Sequence, residues 1–246
     1  MSEVAIRVVD VARRFGDRVV LDGVTFDVPR GRTTTIVGPS GSGKSVLLKL
    51  IVGLLAPDRG QIFVGGLDIT RADEAGKRAI RRKLGMTFQA GALFEDLTAG
   101  ENVAFPLRHH TRLTPDERRA VTLERLTWVE LPDVIDRPVV ALSGGQRKRV
   151  ALARALALDP ELVLFDEPNS GLDPLTSDAI DALIARLQHQ LGITFVLITH
   201  DIVQALTVSD EIGLLWEGKL VAYGSRDAFR SSDHPVVRQF LARSQR

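Results

Sequence analysis

The densest chemistry in the chain lies in one octet, Gly38-Pro39-Ser40-Gly41-Ser42-Gly43-Lys44-Ser45. Its glycines let the backbone curl until its N–H groups, together with the start of a following helix, surround phosphate oxygens. Lysine and then serine at its end complete the P-loop pattern, with Lys44 placed to reach the outer phosphates and the Ser45 hydroxyl to ligate Mg²⁺. A glycine-rich turn can also exist without a ligand. A β-branched strand before the octet and a helix after it are the context that the phosphate reading requires. A second element supplies acid: Leu162-Val163-Leu164-Phe165 runs straight into Asp166 and Glu167. A buried strand ending in two carboxylates delivers them to the carboxyl edge of a sheet, where open α/β folds bind ligands. There Asp166 is expected to hold Mg²⁺ through water, and Glu167 to act as general base toward an attacking water. The plainer alternative is that both acids only end the strand.

These groups need a scaffold. Residues 4–9 and 24–28 alternate as half-buried strands do, and Thr33 to Val37 forms the β-branched strand before the octet. Val46 to Val52 reads as a helix that Gly53 ends, and Gln61 to Ile69 as a hairpin turning at Gly65-Gly66. From about Asn102 to Leu158 the pattern is helical, with Thr114-Pro115-Asp116-Glu117 combining an N-cap, a first-turn proline and a capping-box glutamate. Strand character returns at 162–165 and 193–198. Between them Asp173-Pro174 opens a long helix that Gly192 closes. A hairpin (212–216 and 220–223) and a short helix from Pro235 to Arg243 end the chain. Strands alternating with helices predict an α/β sheet with a helical insertion in its middle.

Composition narrows the function classes. With 246 residues, 44% apolar and 26% charged, the chain can bury a sizeable core. Lys and Arg total 32 against 31 for Asp and Glu, so the basic field that holds nucleic acid is missing. The absence of cysteine excludes disulfides, thiolate metal sites and cysteine nucleophiles. Met1 to Asp10 carries charges where a signal peptide needs an apolar stretch, and no run reaches the ~18 apolar residues of a membrane span. The expectation is a soluble, cytoplasmic protein whose membrane link comes through a partner.

Leu142-Ser143-Gly144-Gly145-Gln146 adds a second anion site, a serine hydroxyl and glycine N–H groups ahead of a helix read as Arg147 to Leu158. In order along the chain stand the P-loop, Gln89, Ser143-Gly144-Gly145-Gln146, Asp166-Glu167, Gly171-Leu172-Asp173 and His200. This series resembles the ATP-binding cassette (ABC) ATPase family over nearly the whole chain. The resemblance implies a P-loop NTPase with a RecA-like core, an N-terminal antiparallel β subdomain and an inserted helical subdomain. Residues 1–246 then form one domain, 1–94 and 159–246 its core with the β subdomain, and 95–158 the helical subdomain carrying the signature. It implies ATP and Mg²⁺ as ligands, and two ATP molecules sandwiched head-to-tail between two copies. Ser143, Gly144, Gly145 and Gln146 of one copy would face the nucleotide on the other's P-loop. By the same resemblance Gln89 contacts Mg²⁺ and the attacking water, and His200 bonds the γ-phosphate and orients Glu167. Asp173 crosses the dimer interface, or is a plain N-cap, or both. Phe15 stacks on adenine unless it is a core residue. Arg147-Lys148-Arg149 reads as a solvated or interface helix face rather than a nucleic-acid contact, and Arg78, Arg81, Arg82 and Lys83 as a solvated helix face. Asn169 stands where many relatives carry threonine.

Phe88-Gln89-Ala90-Gly91-Ala92-Leu93-Phe94, then Ala104-Phe105-Pro106-Leu107-Arg108 with His110-Thr111, are similar to one branch of the family, as is the tail from Pro235 to Leu241. That branch energises Mla and mammalian-cell-entry (Mce) type lipid transporters. It implies permease subunits, an Mce-domain lipid-binding protein, a possible STAS-domain regulator, and a peripheral place on the cytoplasmic face of the inner or plasma membrane. Leu93, Phe94, Phe105 and Leu107 then line the groove for a permease helix, or else belong to the core of the helical segment. A polar-solute importer such as an amino-acid transporter has nearly the same motifs and is the alternative.

Overall fold

The computed structural model describes residues 3–89 and 91–242, so Ala90 and the expected helix end at Arg243 lie outside the described residues. Two sheets share the chain. The first is antiparallel, built from β1 (Val4–Phe15), β2 (Arg18–Pro29), β4 (Arg59–Val64) and β5 (Leu67–Asp68) in the order β2-β1-β4-β5. The second contains β3 (Thr33–Val37), β6 (Leu84–Thr87), β7 (Leu162–Asp166), β8 (Thr194–Thr199), β9 (Glu211–Trp216) and β10 (Lys219–Ser225) in the order β10-β9-β3-β8-β7-β6. All of its pairings are parallel except that of β10 with β9.

Both faces of the parallel sheet are covered, so β7 and β8 carry unbroken apolar runs, 162–165 and 195–198, and divide their side chains by alternation. Leu162, Leu164, Val196 and Ile198 face a core shared with the antiparallel sheet and with α1 (Lys44–Ile51). Val163, Phe165, Phe195 and Leu197 face the opposite core, which contains α3 (Ala99–His110), α4 (Pro115–Trp128), α5 (Gly144–Ala155) and α6 (Pro174–Leu191). There the Phe165 and Phe195 rings meet edge-on, 5.1 Å between centroids. A third cluster joins β9 to α7 (Ile202–Val208), α8 (Arg226–Arg230) and α9 (Pro235–Ala242).

Several boundaries differ from the sequence reading. β1 and β2 run well beyond residues 9 and 24 because register shifts carry the pairing past the point where alternation breaks, with Asp10 at φ 48°. The helix after the signature starts at Gly144, not Arg147, because Ser143 and Gln146 close a capping box around its first turn. The same device, Thr98 with Glu101, starts α3 at Ala99. The short strand β6 and α2 (Glu74–Arg81), capped by Asp73, fell outside the periodicity argument. Arg81 is not on a solvated face: its guanidinium donates to the carbonyls of Val52 and Gly53 at 3.1 and 2.8 Å. Arg82 and Lys83 follow the end of α2, where Lys83 pairs with Glu161 at 2.8 Å.

A polar trio, Asp181 and Gln204 buried and Asn169 half-buried, ties the segment after β7 to α7. The Asp181 Oδ1 accepts from the Asn169 amide at 2.9 Å and from the Gln204 amide at 2.7 Å. Burial raises the Asp181 carboxyl above its ordinary range, opposed by those two hydrogen bonds. A carboxyl raised in the folded state contributes stability that is present at low pH and lost as pH climbs past the unfolded value. Asp181→Asn, which keeps the acceptor and removes the charge, should therefore gain stability over the parent as pH rises from about 4 toward 7. Urea unfolding across that range checks it; a difference that shrinks with pH refutes the assignment.

Candidate functional site

The strand register assembles the site. Val37 pairs with Thr199, and Asp166 with Ile198, so β3, β7 and β8 end side by side. The loop from Gly38, the acids at 166 and 167, and His200 therefore emerge along one edge of the sheet. Gly43 stands at φ 105°, and a Cβ there would lie 2.7 Å from Leu21 Cδ2 and 2.8 Å from the Val20 carbonyl. A Cβ on Gly38 would lie 2.2 Å from the Leu215 carbonyl. The loop thus needs glycine both for its curl and for close approach to its neighbours.

Lys44 is 6% exposed and donates to the carbonyls of Gly38 and Pro39 at 2.8 and 3.0 Å, with Glu167 Oε1 3.8 Å away. Burial lowers its pKa, while Glu167 and Asp166 pull it back up. The Ser45 hydroxyl lies 3.4 Å from Asp166 Oδ1. Burial, and then the neighbouring Glu167, raise the Asp166 carboxyl against the opposing pull of Ser45, Lys44 and Lys49. Two acids crowded beside one lysine form a site that favours added positive charge. Among the described residues no three acidic or histidine side chains cluster as a complete metal cage. One hydroxyl and one carboxylate, both hard oxygen donors, fit Mg²⁺, which keeps waters and takes phosphate oxygens as its other ligands.

Glu167 sits at φ 51°, a left-handed conformation rare for a residue with a side chain. Its N–H donates to the Ile198 carbonyl at 2.8 Å. Its carboxylate Oε2 lies 2.7 Å from His200 Nδ1, 3.3 Å from the His200 N–H and 3.4 Å from the Thr199 hydroxyl. Facing a carboxylate, Nδ1 is the nitrogen that carries the ring proton. The Gln89 amide donates to the Ser170 hydroxyl at 3.1 Å. An open pocket of about 440 Å³ is lined by Phe15, Ser40, Lys44, Gln89, Glu167 and His200 among others. Phe15 is 47% exposed, with the Arg13 guanidinium 4.9 Å above its ring, and so is no core residue.

The structure does not bring every expected residue into this pocket. Ser143, Gly144, Gly145, Gln146 and Asp173 line none of it. They form a separate surface: a Cβ on Gly145 would meet Thr176 Cγ2 at 2.6 Å, and one on Gly144 would meet Leu172 at 3.4 Å. The Ser143 Oγ accepts from the Gln146 N–H at 3.2 Å, and the Gln146 side chain is spent on the Ser143 N–H at 3.0 Å. Asp173 caps α6, accepting from the Thr176 N–H at 3.0 Å and its hydroxyl at 2.6 Å, bonds that hold its carboxyl below the ordinary range.

Two further readings need correction. Leu107 is 2% exposed within the helical core and offers no partner surface, because its position on α3 faces inward. Leu93 packs half-buried against the same core, whereas Phe94 is 44% exposed and its ring lies 4.6 Å from that of Phe105. The basic run at 147–149 is no uniform solvated face. Arg149 pairs with Glu130 at 2.6 Å, and Lys148 is half-buried, donating to main-chain carbonyls of the site. Ser170, Thr199 and Lys148 join the site without belonging to its motifs. For the first two, adjacency to the Gly171-Leu172-Asp173 run and to His200 was the available signal.

A strand–loop–helix phosphate cradle with paired acids at the end of β7, one strand removed from β3, and a detached serine–glycine turn is the construction of an ATP-binding cassette. Residues 21–170 match the family model described as ABC transporter. The chain belongs to the ABC transporter family, and its enzymatic activity is ATP hydrolysis. It is 43% identical over 238 residues to the "Probable ribonucleotide transport ATP-binding protein mkl" of Mycobacterium leprae, covering 97% of this chain and 69% of that one. It is 41% identical over 232 residues to the "Intermembrane phospholipid transport system ATP-binding protein MlaF" of Escherichia coli K12, covering 94% and 86%. Among solved structures it is similar to the dimeric cassette MJ0796 bound to ADP and Pi, with TM-score 0.81, 34% identity, and 90% and 98% coverage. The cassette cbiO1 from Clostridium perfringens gives TM-score 0.86, 30% identity, and 98% and 96% coverage.

Gly43→Ala tests the cradle. Forcing a side chain into this backbone conformation costs about 1–2 kcal/mol before any clash, so ATP affinity should fall about tenfold or more in a folded protein. Titration with a fluorescent ATP analogue measures it, and parental affinity would show that the curl does not require glycine.

Proposed function

We propose that the chain powers the movement of phospholipid, or of a related hydrophobic molecule, through a membrane permease to which it binds as a peripheral subunit. The observation that carries the catalytic part is the clamp on Glu167, whose carboxylate is held by His200 and Thr199 beside Lys44. In this reading Lys44 and the backbone N–H groups of residues 38–45 bind the ATP phosphates, and Phe15 stacks on the adenine. Ser45, Asp166 and Gln89 hold Mg²⁺, which when bound neutralises charge on the phosphate oxygens. Glu167 takes the proton of the attacking water, while His200 keeps Glu167 oriented and bonds the γ-phosphate.

None of the signature residues lines the chain's own pocket, which supports their acting on a second copy. Ser143, Gly144, Gly145 and Asp173 then close the partner's site in a head-to-tail pair, and Gln146 contributes by holding the helix start in shape. The exposed Phe94 with Phe105, and separately a groove of about 360 Å³ lined by Ala104, Arg108, Arg118 and Thr122 of α3 and α4, support the helical segment as the seat of a permease helix. The Thr122 hydroxyl there is buried, with no hydrogen-bond partner among the described residues. Residues 95–158, carrying α3 to α5, form the subdomain that meets both partners.

Likeness to the intermembrane phospholipid transport ATP-binding protein MlaF supports the lipid substrate. The short motifs after Gln89 and in the tail carry the rest of the proposal: an Mce-domain protein beyond the membrane, room for a STAS-domain regulator, and a place on the cytoplasmic face of the inner or plasma membrane. Among the described residues no helix is long and apolar enough to cross a membrane. The name of the mycobacterial relative favours a second reading, a polar-solute transporter, with every nucleotide-site role unchanged. Affinity purification from detergent-solubilised membranes separates the two. A permease with an Mce-domain protein and bound phospholipid is expected; a permease with a soluble solute-binding protein would overturn the lipid.

Glu167→Gln should lower ATP turnover by about 10²–10⁴ while leaving ATP binding intact and trapping the nucleotide-bound dimer. Turnover assays with size-exclusion chromatography read both effects, and unchanged turnover removes Glu167 as the base. Phe94→Arg should weaken capture of the permease about tenfold or more, as loss of a central interface aromatic does, with ATP affinity unaltered. Normal co-purification of that variant would move the permease seat elsewhere.

A further inference from the structure

Lys148 lies one turn into α5, five residues beyond the capping serine of the signature. Its ammonium points back under the nucleotide site, donating to the main-chain carbonyl of Gln89 and, at 3.4 Å, to that of Glu167. No carboxylate lies within ion-pair distance of it among the described residues, so a half-buried cation is committed to two backbone oxygens. Burial lowers its pKa, and the charges of Glu167 and Asp166 sustain its protonation.

These contacts close a circuit. Lys148 holds the Gln89 carbonyl, the Gln89 amide holds the Ser170 hydroxyl at 3.1 Å, and the Ser170 N–H donates to the Glu167 carbonyl at 3.1 Å. Lys148 returns to that same carbonyl. The Glu167 backbone stands at φ 51°, a conformation that persists only where its surroundings over-determine it. Its N–H is fixed from β8 and its carbonyl from Ser170 and Lys148. Of these anchors Lys148 alone comes from the helix that begins with the signature. Displacement of α5 therefore acts on the peptide that aims the base and on the loop that carries Gln89.

We infer that Lys148 is a positioning residue that links the two nucleotide sites of the dimer. When Ser143 of one copy engages the partner's nucleotide, Lys148 transmits the resulting seating of α5 to Gln89 and Glu167 of its own site. This rests on Glu167 being the base and on the signature acting across the dimer.

The test uses the full chain at concentrations where it dimerises, comparing Lys148→Met, Lys148→Arg and Glu167→Gln. Lys148→Met should lower kcat about tenfold, the effect of one lost charge-assisted hydrogen bond, and bring the Hill coefficient for ATP toward 1. Its ATP Kd, measured on the dilute monomer, should stay within about twofold, because Lys148 touches no residue expected to bind ATP phosphates. Lys148→Arg, which keeps the charge and donors, should recover both kcat and cooperativity. If Glu167→Gln is inactive while Lys148→Met keeps parental kcat and cooperativity, the link alone is overturned. If Lys148→Met loses kcat, Kd and melting temperature together and arginine restores none of them, Lys148 is a structural strut and the inference fails. Full turnover by Glu167→Gln overturns the base and the link together.

Discussion

Strands β3, β7 and β8 end in register, and everything chemical in this cassette depends on that alignment. Their parallel pairing sets Val37 opposite Thr199 and Asp166 opposite Ile198. Residues distant in the chain thereby leave the sheet at one line. Parallel strands must be buried on both faces, and the two apolar cores that flank this sheet supply the rigidity. The loop from Gly38, Asp166, Glu167 and His200 are then placed by backbone geometry, with side-chain hydrogen bonds making the final adjustment.

Electrostatics inside that line are left unbalanced. Burial works against the charge on Lys44 and against that on Asp166, while Glu167 opposes Asp166 directly. The carboxylates are kept apart by separate partners, Asp166 toward Ser45 and Glu167 toward His200 and Thr199. A cation beside the two carboxylates and an anion beside Lys44 would each relieve one part of that burden. The site is thus more complementary to the pair of ligands than to either one alone.

Much of this was legible in the residues. The octet at 38–45 and the acids at 166–167 announce themselves because spacing in the chain equals spacing in the loop. Thr114, Asp173 and Gly192 marked helix ends because capping is a local interaction. Leu107 and Lys148 were misread because burial is set by distant elements: α3 turns Leu107 inward, and α5 lies close enough to the β6 and β7 loops for Lys148 to reach them. The bulged lengths of β1 and β2 escaped alternation for the same reason, since their partners hold the register where the pattern fails. Lys83, past the end of α2, takes its role from Glu161 across the fold.

The close approach of Gly145 to Thr176 and of Gly144 to Leu172 has a mechanical consequence. The signature turn and the first turn of α6 are in van der Waals contact, with no room for even a methyl group beside Gly145. They behave as a single plate, and a neighbouring molecule presses on both or on neither. Docking on such a plate is all-or-none in character, so a half-engaged neighbour gains little. A bearing surface of this kind converts an approach of two bodies into a sharp commitment, with no hinge of its own.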